Sequence, residues 1–142
     1  MLRRLFLAFL ALMTAVSPAQ AISDRYVVIF GTALETRVNV VADTNGTKYC
    51  FDSGRPTDFI FWLDADFVSG TSTLDVKVQH SPDGKNWKDI DSFTQVTTAD
   101  AIHDFHQAIN MSVMKCIRAV IDVGAAGSPN YNVLVRAQYR LQ

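Results

Sequence analysis

From Tyr26 onward, apolar and polar residues alternate in short runs bounded by turn-forming residues. Leu74, Val76, Val78 and His80 alternate with Asp75, Lys77 and Gln79, the pattern of a strand with one face in a core. Ile117, Ala119, Ile121 and Val123 alternate with Cys116, Arg118, Val120 and Asp122. Near the end, Tyr131, Val133, Val135, Ala137, Tyr139 and Leu141 alternate with Asn132, Leu134, Arg136, Gln138 and Arg140. Phe59-Ile60-Phe61-Trp62-Leu63 is apolar at every position, which predicts a central strand covered on both faces. Shorter strands are expected in Tyr26–Phe30, Arg37–Val41, Lys48–Asp52 and Asp89–Val96.

Turn chemistry separates these runs. Asp43-Thr44-Asn45-Gly46 carries the Asn-Gly pair that favours tight hairpins. Asp52–Pro56, Ser69–Ser72, Pro82-Asp83-Gly84 and Gly124–Pro129 supply further breaks. Seven or eight short strands with such turns predict an all-β fold, a single antiparallel β-sandwich of jelly-roll-like form over residues 22–142. One stretch departs from the pattern. In Thr98–Met114, Ala101, Ile102, Phe105, Ala108 and Ile109 recur at spacings of three and four, which predicts one short helix or an irregular crossover near 98–114.

The first 21 residues have a different character. Met1-Leu2-Arg3-Arg4 is positive, Leu5–Val16 is apolar, and Ala19-Gln20-Ala21 offers a small-x-small cleavage site, the order of a secretory signal peptide. Its apolar run is shorter than the roughly 20 residues a spanning helix needs. Arg3-Arg4-Leu5-Phe6-Leu7 also matches the core of a twin-arginine signal. No cysteine follows Ala21, which disfavours a lipid-anchored mature terminus. The expected location is therefore secreted or periplasmic, with no membrane span after cleavage.

Loss of Arg3 and Arg4 leaves 11 basic against 14 acidic residues, a charge of −3. Without a basic run, phosphate neutralisation is weak, and nucleic acid is not an expected partner. Cys50 and Cys116 remain, an even count in an oxidising compartment. Each sits on the face opposite its strand's main apolar set, so the two are candidates for one disulfide across neighbouring strands.

The strongest local signal is Ser81-Pro82-Asp83-Gly84-Lys85-Asn86-Trp87 between two strand-like runs. Pro presets φ, Gly takes a positive φ, and Trp87 packs beside the turn to fix its register. This hairpin resembles one found in discoidin-like (coagulation factor 5/8 C-terminal type) carbohydrate-binding modules and in small structural proteins of tailed-phage particles. Lys115-Cys116-Ile117-Arg118-Ala119-Val120 is similar to the penultimate strand of both. The resemblance covers roughly residues 73–140 and implies a β-sandwich that either binds a glycan or cell-surface ligand or self-associates into a layer, filament or particle.

Several residues carry candidate chemistry. Trp62, Trp87, Asp83 and His80 are the candidate ligand-binding set, with Tyr26 and Tyr49 as further aromatics able to stack on sugar rings. On a helix, His103 and His106 would share a face and could ligate Zn²⁺ or Cu²⁺, with His80 as a third ligand. Asp64, Asp66, Asp83, Asp89 and Asp91 could hold Ca²⁺ at loop ends. The alternative for both sets is a solvated surface, and no cofactor is expected. The sequence contains no Gly-x-Ser-x-Gly elbow, Cys-x-x-Cys pair, phosphate loop or dinucleotide fingerprint. The expected function is an exported, non-enzymatic binding module, with a structural subunit and a metal-dependent enzyme as alternatives.

Overall fold

The computed structural model describes residues 25–33, 36–52, 56–97, 101–108 and 115–141. Among the described residues ten strands form two antiparallel sheets: β1 (Arg25–Phe30), β2 (Val38–Val40), β3 (Thr44–Asn45), β4 (Tyr49–Cys50), β5 (Pro56–Ser69), β6 (Leu74–Ser81), β7 (Lys88–Ser92), β8 (Ala101–Ala108), β9 (Cys116–Val123) and β10 (Asn130–Leu141). The first sheet has the order β1-β10-β5-β8, with β2 continuing β1 along β10. The second has the order β3-β9-β6-β7, with β4 continuing β3 along β9. Each sheet thus has four strand positions, and the first strand lies beside the last, as in a jelly roll. The sandwich expected from the alternation is the fold observed.

The core lies between the sheets. Phe59, Phe61, Leu63 and Ala65 of β5 and Val133, Val135 and Ala137 of β10 face Leu74, Val76 and Val78 of β6 and Ile117, Ala119 and Ile121 of β9, all essentially buried. Burial of such a large side chain contributes about 1.5–3 kcal/mol. At one end Phe51 meets Tyr139 edge-on, ring centroids 5.0 Å apart, and Tyr139 stacks on Phe59 at 5.8 Å. At the other end the Tyr131 hydroxyl donates to the Ser72 carbonyl and ties β10 to the β5–β6 turn.

Three local expectations are corrected. Residues 101–108 are strand β8, not helix, and pair with β5 from Phe59↔Ala108 to Asp66↔Ala101. The edge of a 14-residue strand presents unpaired amides and carbonyls, and satisfying them outweighs a weak helical spacing. Residues 98–100 and 109–114 lie outside the described residues, as does the expected signal peptide over 1–21.

Asn45-Gly46 is not a hairpin turn. Thr44 and Asn45 pair with β9, and the Gly46 amide donates to the Ala119 carbonyl at 2.9 Å. Glycine is required there by proximity, because a Cβ would lie 1.8 Å from the Ile29 carbonyl oxygen. The central strand β5 is covered on one face only: Ile60, Trp62, Asp64 and Asp66 point outward and are half-buried.

Candidate functional site

The outward face of the first sheet gathers the candidate site. Directly opposed residues of antiparallel strands share a face, with strands about 4.8 Å apart. Register therefore sets one row as Val28 (β1), Arg136 (β10), Trp62 (β5) and Phe105 (β8). The next row places Leu134, Asp64 and His103 side by side, and the one after pairs Asn132 with Asp66. Trp62 and Phe105 form a short aromatic platform, with ring centroids 5.5 Å apart and planes inclined by 34°. Phe105 is 61% exposed, an unusual degree for a phenyl ring. The Trp62 indole nitrogen is shielded from solvent, so outward the side chain offers its ring and not its N–H.

Beside the platform is an open depression of about 760 Å³ lined by Thr36, Arg37, Asp64, His103, Asn132, Leu134 and Arg136. Asp64 is the hub. Its Oδ2 accepts a hydrogen bond from Arg136 Nη2 at 3.0 Å, and its Oδ1 lies 2.6 Å from His103 Nδ1. The Arg136 guanidinium carbon is also 5.8 Å from the Trp62 ring centroid, which joins platform and depression electrostatically. Arg37, from the segment between β1 and β2, pairs with Asp66. Asn39 donates to Asn130 and, at 3.3 Å, to Asn132. The surface therefore presents carboxylate acceptors, guanidinium donors and amides that do both.

The other candidate residues are elsewhere. Trp87 lies on the outward face of the second sheet, half-buried, with the Arg118 guanidinium carbon 4.3 Å from its ring centroid. Arg118 Nε donates to Gln79 Oε1 at 2.9 Å, and Gln79 Nε2 donates to Asp89 at 2.6 Å, so one ring face is already covered. Asp83 organises its own turn. Its carboxylate accepts hydrogen bonds from the amides of Lys85 and Asn86, both at 2.8 Å, from Ser81 Oγ at 2.9 Å and from Asn86 Nδ2 at 2.7 Å. These donors, the Asn86 amide first, hold its carboxyl well below the ordinary carboxylate range. His80 is buried at the end of β6, where desolvation first and then the Lys88 charge favour neutral imidazole.

The expected histidine pair is separated. Positions three apart share a face on a helix but point to opposite faces of a strand. His103 lies on the outward face against Asp64, whereas His106 reaches Asp91 of the other sheet. Among the described residues, no group of three or more His, Cys, Asp or Glu is placed to hold a metal ion. Of the acids considered for Ca²⁺, Asp64 and Asp66 face arginines, Asp83 its turn amides, Asp89 Gln79 and Asp91 His106.

Cys50 and Cys116 are directly opposed on β4 and β9 and form a disulfide, as the alternation anticipates. The bond packs under the Ser81–Asn86 turn, close to Gly84. Arg37, Asp64, Asp66, Asn132, Phe105 and Arg136 were not assigned to a common ligand site by sequence. Their signal is the same parity as Trp62 on β5, and on β10 the polar positions that alternate with the core. No family model, curated protein or solved structure matches this chain.

Proposed function

We propose that this chain is an exported, non-enzymatic binding module that takes a glycan on the outward face of the β1-β10-β5-β8 sheet. One observation carries the reading: half-buried Trp62 and exposed Phe105 form an outward aromatic platform beside a polar depression that Asp64 and Arg136 line. A sugar ring has an apolar C–H face and a rim of hydroxyls. The platform suits the first and the donors and acceptors of the depression suit the second. The disulfide fits an oxidising compartment, in agreement with the signal-like N-terminus. The discoidin-like hairpin points to the same class of ligand.

A glycan array probed with the wild-type chain, Trp62→Ala and Phe105→Ala tests this. Binding by the wild type that is lost in both variants is the expected result. Absence of binding, or binding unchanged in both variants, refutes it.

A second reading, self-association through a sheet edge, is favoured by β8. It ends its sheet among the described residues and carries the exposed Phe105. The terminal strand β10 does not serve this purpose, because β1 and β2 pair along one side and β5 along the other. Sedimentation at high concentration decides: a strict monomer removes this reading.

A further inference from the structure

We infer that the outward site selects neutral, hydroxyl-rich oligosaccharides of two or more residues over sugars bearing carboxylate or sulfate groups. The inference rests on the glycan reading above and adds the ligand's charge and length.

The two arginines that line the depression are each matched by a carboxylate, Asp64 within it and Asp66 beside it. Arg37 is paired with Asp66, and Arg136 and His103 share Asp64. Arg37 and Arg136, the guanidinium groups that line the depression, therefore each already have a carboxylate of the chain against them. An acidic sugar would have to displace that carboxylate and then sit beside it, a like-charge contact that costs binding energy. A hydroxyl faces no such penalty, because it donates and accepts at once. Neighbouring hydroxyls can give a hydrogen to Asp64 or Asp66 while receiving one from Arg136 or Arg37. The ion pairs thus act as prearranged donor-acceptor couples, held half-buried at 18–32% side-chain exposure where competing water is reduced.

Length follows from register. Trp62, Asp64 and Asp66 are successive outward positions of one strand, and each step of two residues covers about 6.7 Å. Platform and Arg37–Asp66 pair are therefore two such steps apart. One sugar stacked on Trp62 reaches the Asp64 hub but not Arg37 and Asp66, so a second residue is needed to use both pairs.

The test is calorimetry of the full mature chain against matched probes: galactose, galactotetraose, cellotetraose, xylotetraose and mannotetraose as neutral sugars, and tetragalacturonate and 3′-sialyllactose as acidic ones. At least one neutral tetrasaccharide is expected to bind about tenfold or more tighter than either acidic probe. Its affinity should be unchanged between about 20 and 500 mM NaCl, because no net charge is neutralised. Galactose is expected to bind at least about tenfold more weakly than the best tetrasaccharide. Asp66→Asn, which leaves Arg37 without its carboxylate, should narrow the neutral preference by improving tetragalacturonate binding, with thermal unfolding reporting that the variant is folded.

Acidic probes that bind as well as neutral ones, and lose binding in Trp62→Ala, overturn the charge inference and leave the glycan site standing. Galactose binding equal to that of the tetrasaccharide overturns the length inference alone. No binding by any probe overturns both this inference and the glycan reading.

Discussion

His106 Nδ1 lies 3.0 Å from both carboxylate oxygens of Asp91, and this contact joins β8 to β7, the strands that end the two sheets among the described residues. Its Nε2 is 3.3 Å from Asp104, and its ring lies 4.9 Å from that of Phe93. The imidazole is thus held between carboxylates of opposite sheets. The hydrogen bond to Asp91 is the main reason its pKa is raised above 6.5, with the charges of Asp91 and Asp104 adding to it and desolvation opposing.

A raised folded pKa stabilises the native state fully below the unfolded value of 6.5, and that stabilisation is lost as pH rises through the folded value. His80 acts in the opposite sense. Its folded pKa is lowered by burial, so the native state loses stability as pH falls below 6.5 and the unfolded imidazole takes up a proton. The two histidines therefore contribute in opposite senses to the pH dependence of the wild type. In His106→Ala the stability gap to wild type should widen as pH falls from about 8 to about 6, by at most about 1 kcal/mol for a side chain that is 32% exposed. Thermal melts across this range check it. A gap independent of pH would show that the ring acts by packing alone.

Much of this architecture was legible because the core enforces period two. In β6, β9 and β10 a one-residue slip would turn the inward apolar set to water, so the alternation there is nearly regular, with Val120 and Leu134 as apolar residues of the other parity. The same parity argument found the cysteine bridge. Neighbour relations were not legible. Trp62 shows by parity that it faces away from Phe61, but that Phe105 and Arg136 flank it depends on which strands pair. Local rules failed where pairing overrode them. Asn45-Gly46 has hairpin chemistry yet lies along β9, and the three-residue spacing of His103 and His106 unites them only on a helix.

Removal of the disulfide should be costly. It links residues 66 positions apart, and loop-closure entropy for that span is worth about 4 kcal/mol. The Cys50→Ala/Cys116→Ala double variant is expected to lose unfolding free energy of that order, with a lower denaturation midpoint and a steeper slope, because the unfolded chain without its crosslink exposes more surface. Wild type treated with a reductant should move to the same midpoint, and an unchanged midpoint in both would contradict the loop-entropy account.

Asp83 is expected to matter through its turn, where Gly84 at φ 71° lets the chain reverse. Its carboxylate collects the amides of Lys85 and Asn86, so its folded pKa is depressed and its contribution is present above 3.8 and lost as pH falls through the depressed value. Asp83→Asn should lower the melting temperature at neutral pH and flatten the decline of stability at acid pH. An acid limb identical to wild type would show that the carboxylate charge is immaterial.

Gly46→Ala should destabilise strongly although it is a small change. The added Cβ meets the Ile29 backbone carbonyl, which cannot swing aside as a side chain can. A loss of about 2 kcal/mol or more is expected in urea unfolding. A neutral result would mean that β1 and the β3–β4 segment are less closely apposed.

The two tryptophans should separate binding from stability. Trp62 turns away from the core and rests against Phe105 and Arg136, so Trp62→Ala removes the platform while leaving the inner face of β5 intact. It is expected to cost about 1–2 kcal/mol in stability and to reduce glycan affinity by about tenfold or more. Phe105→Ala should reduce binding similarly with almost no loss of stability, since the ring is mostly in water. Trp87 already carries Arg118 on one ring face, on the opposite sheet from the depression. Trp87→Ala forfeits that cation–π contact, worth about 0.5–1 kcal/mol, and should leave glycan affinity within about twofold of wild type. Paired melts and calorimetry on the three variants distinguish the roles. Parallel losses of binding in Trp62→Ala and Trp87→Ala would tie binding to overall integrity, whereas loss confined to Trp62→Ala and Phe105→Ala would assign it to the outward face of the first sheet.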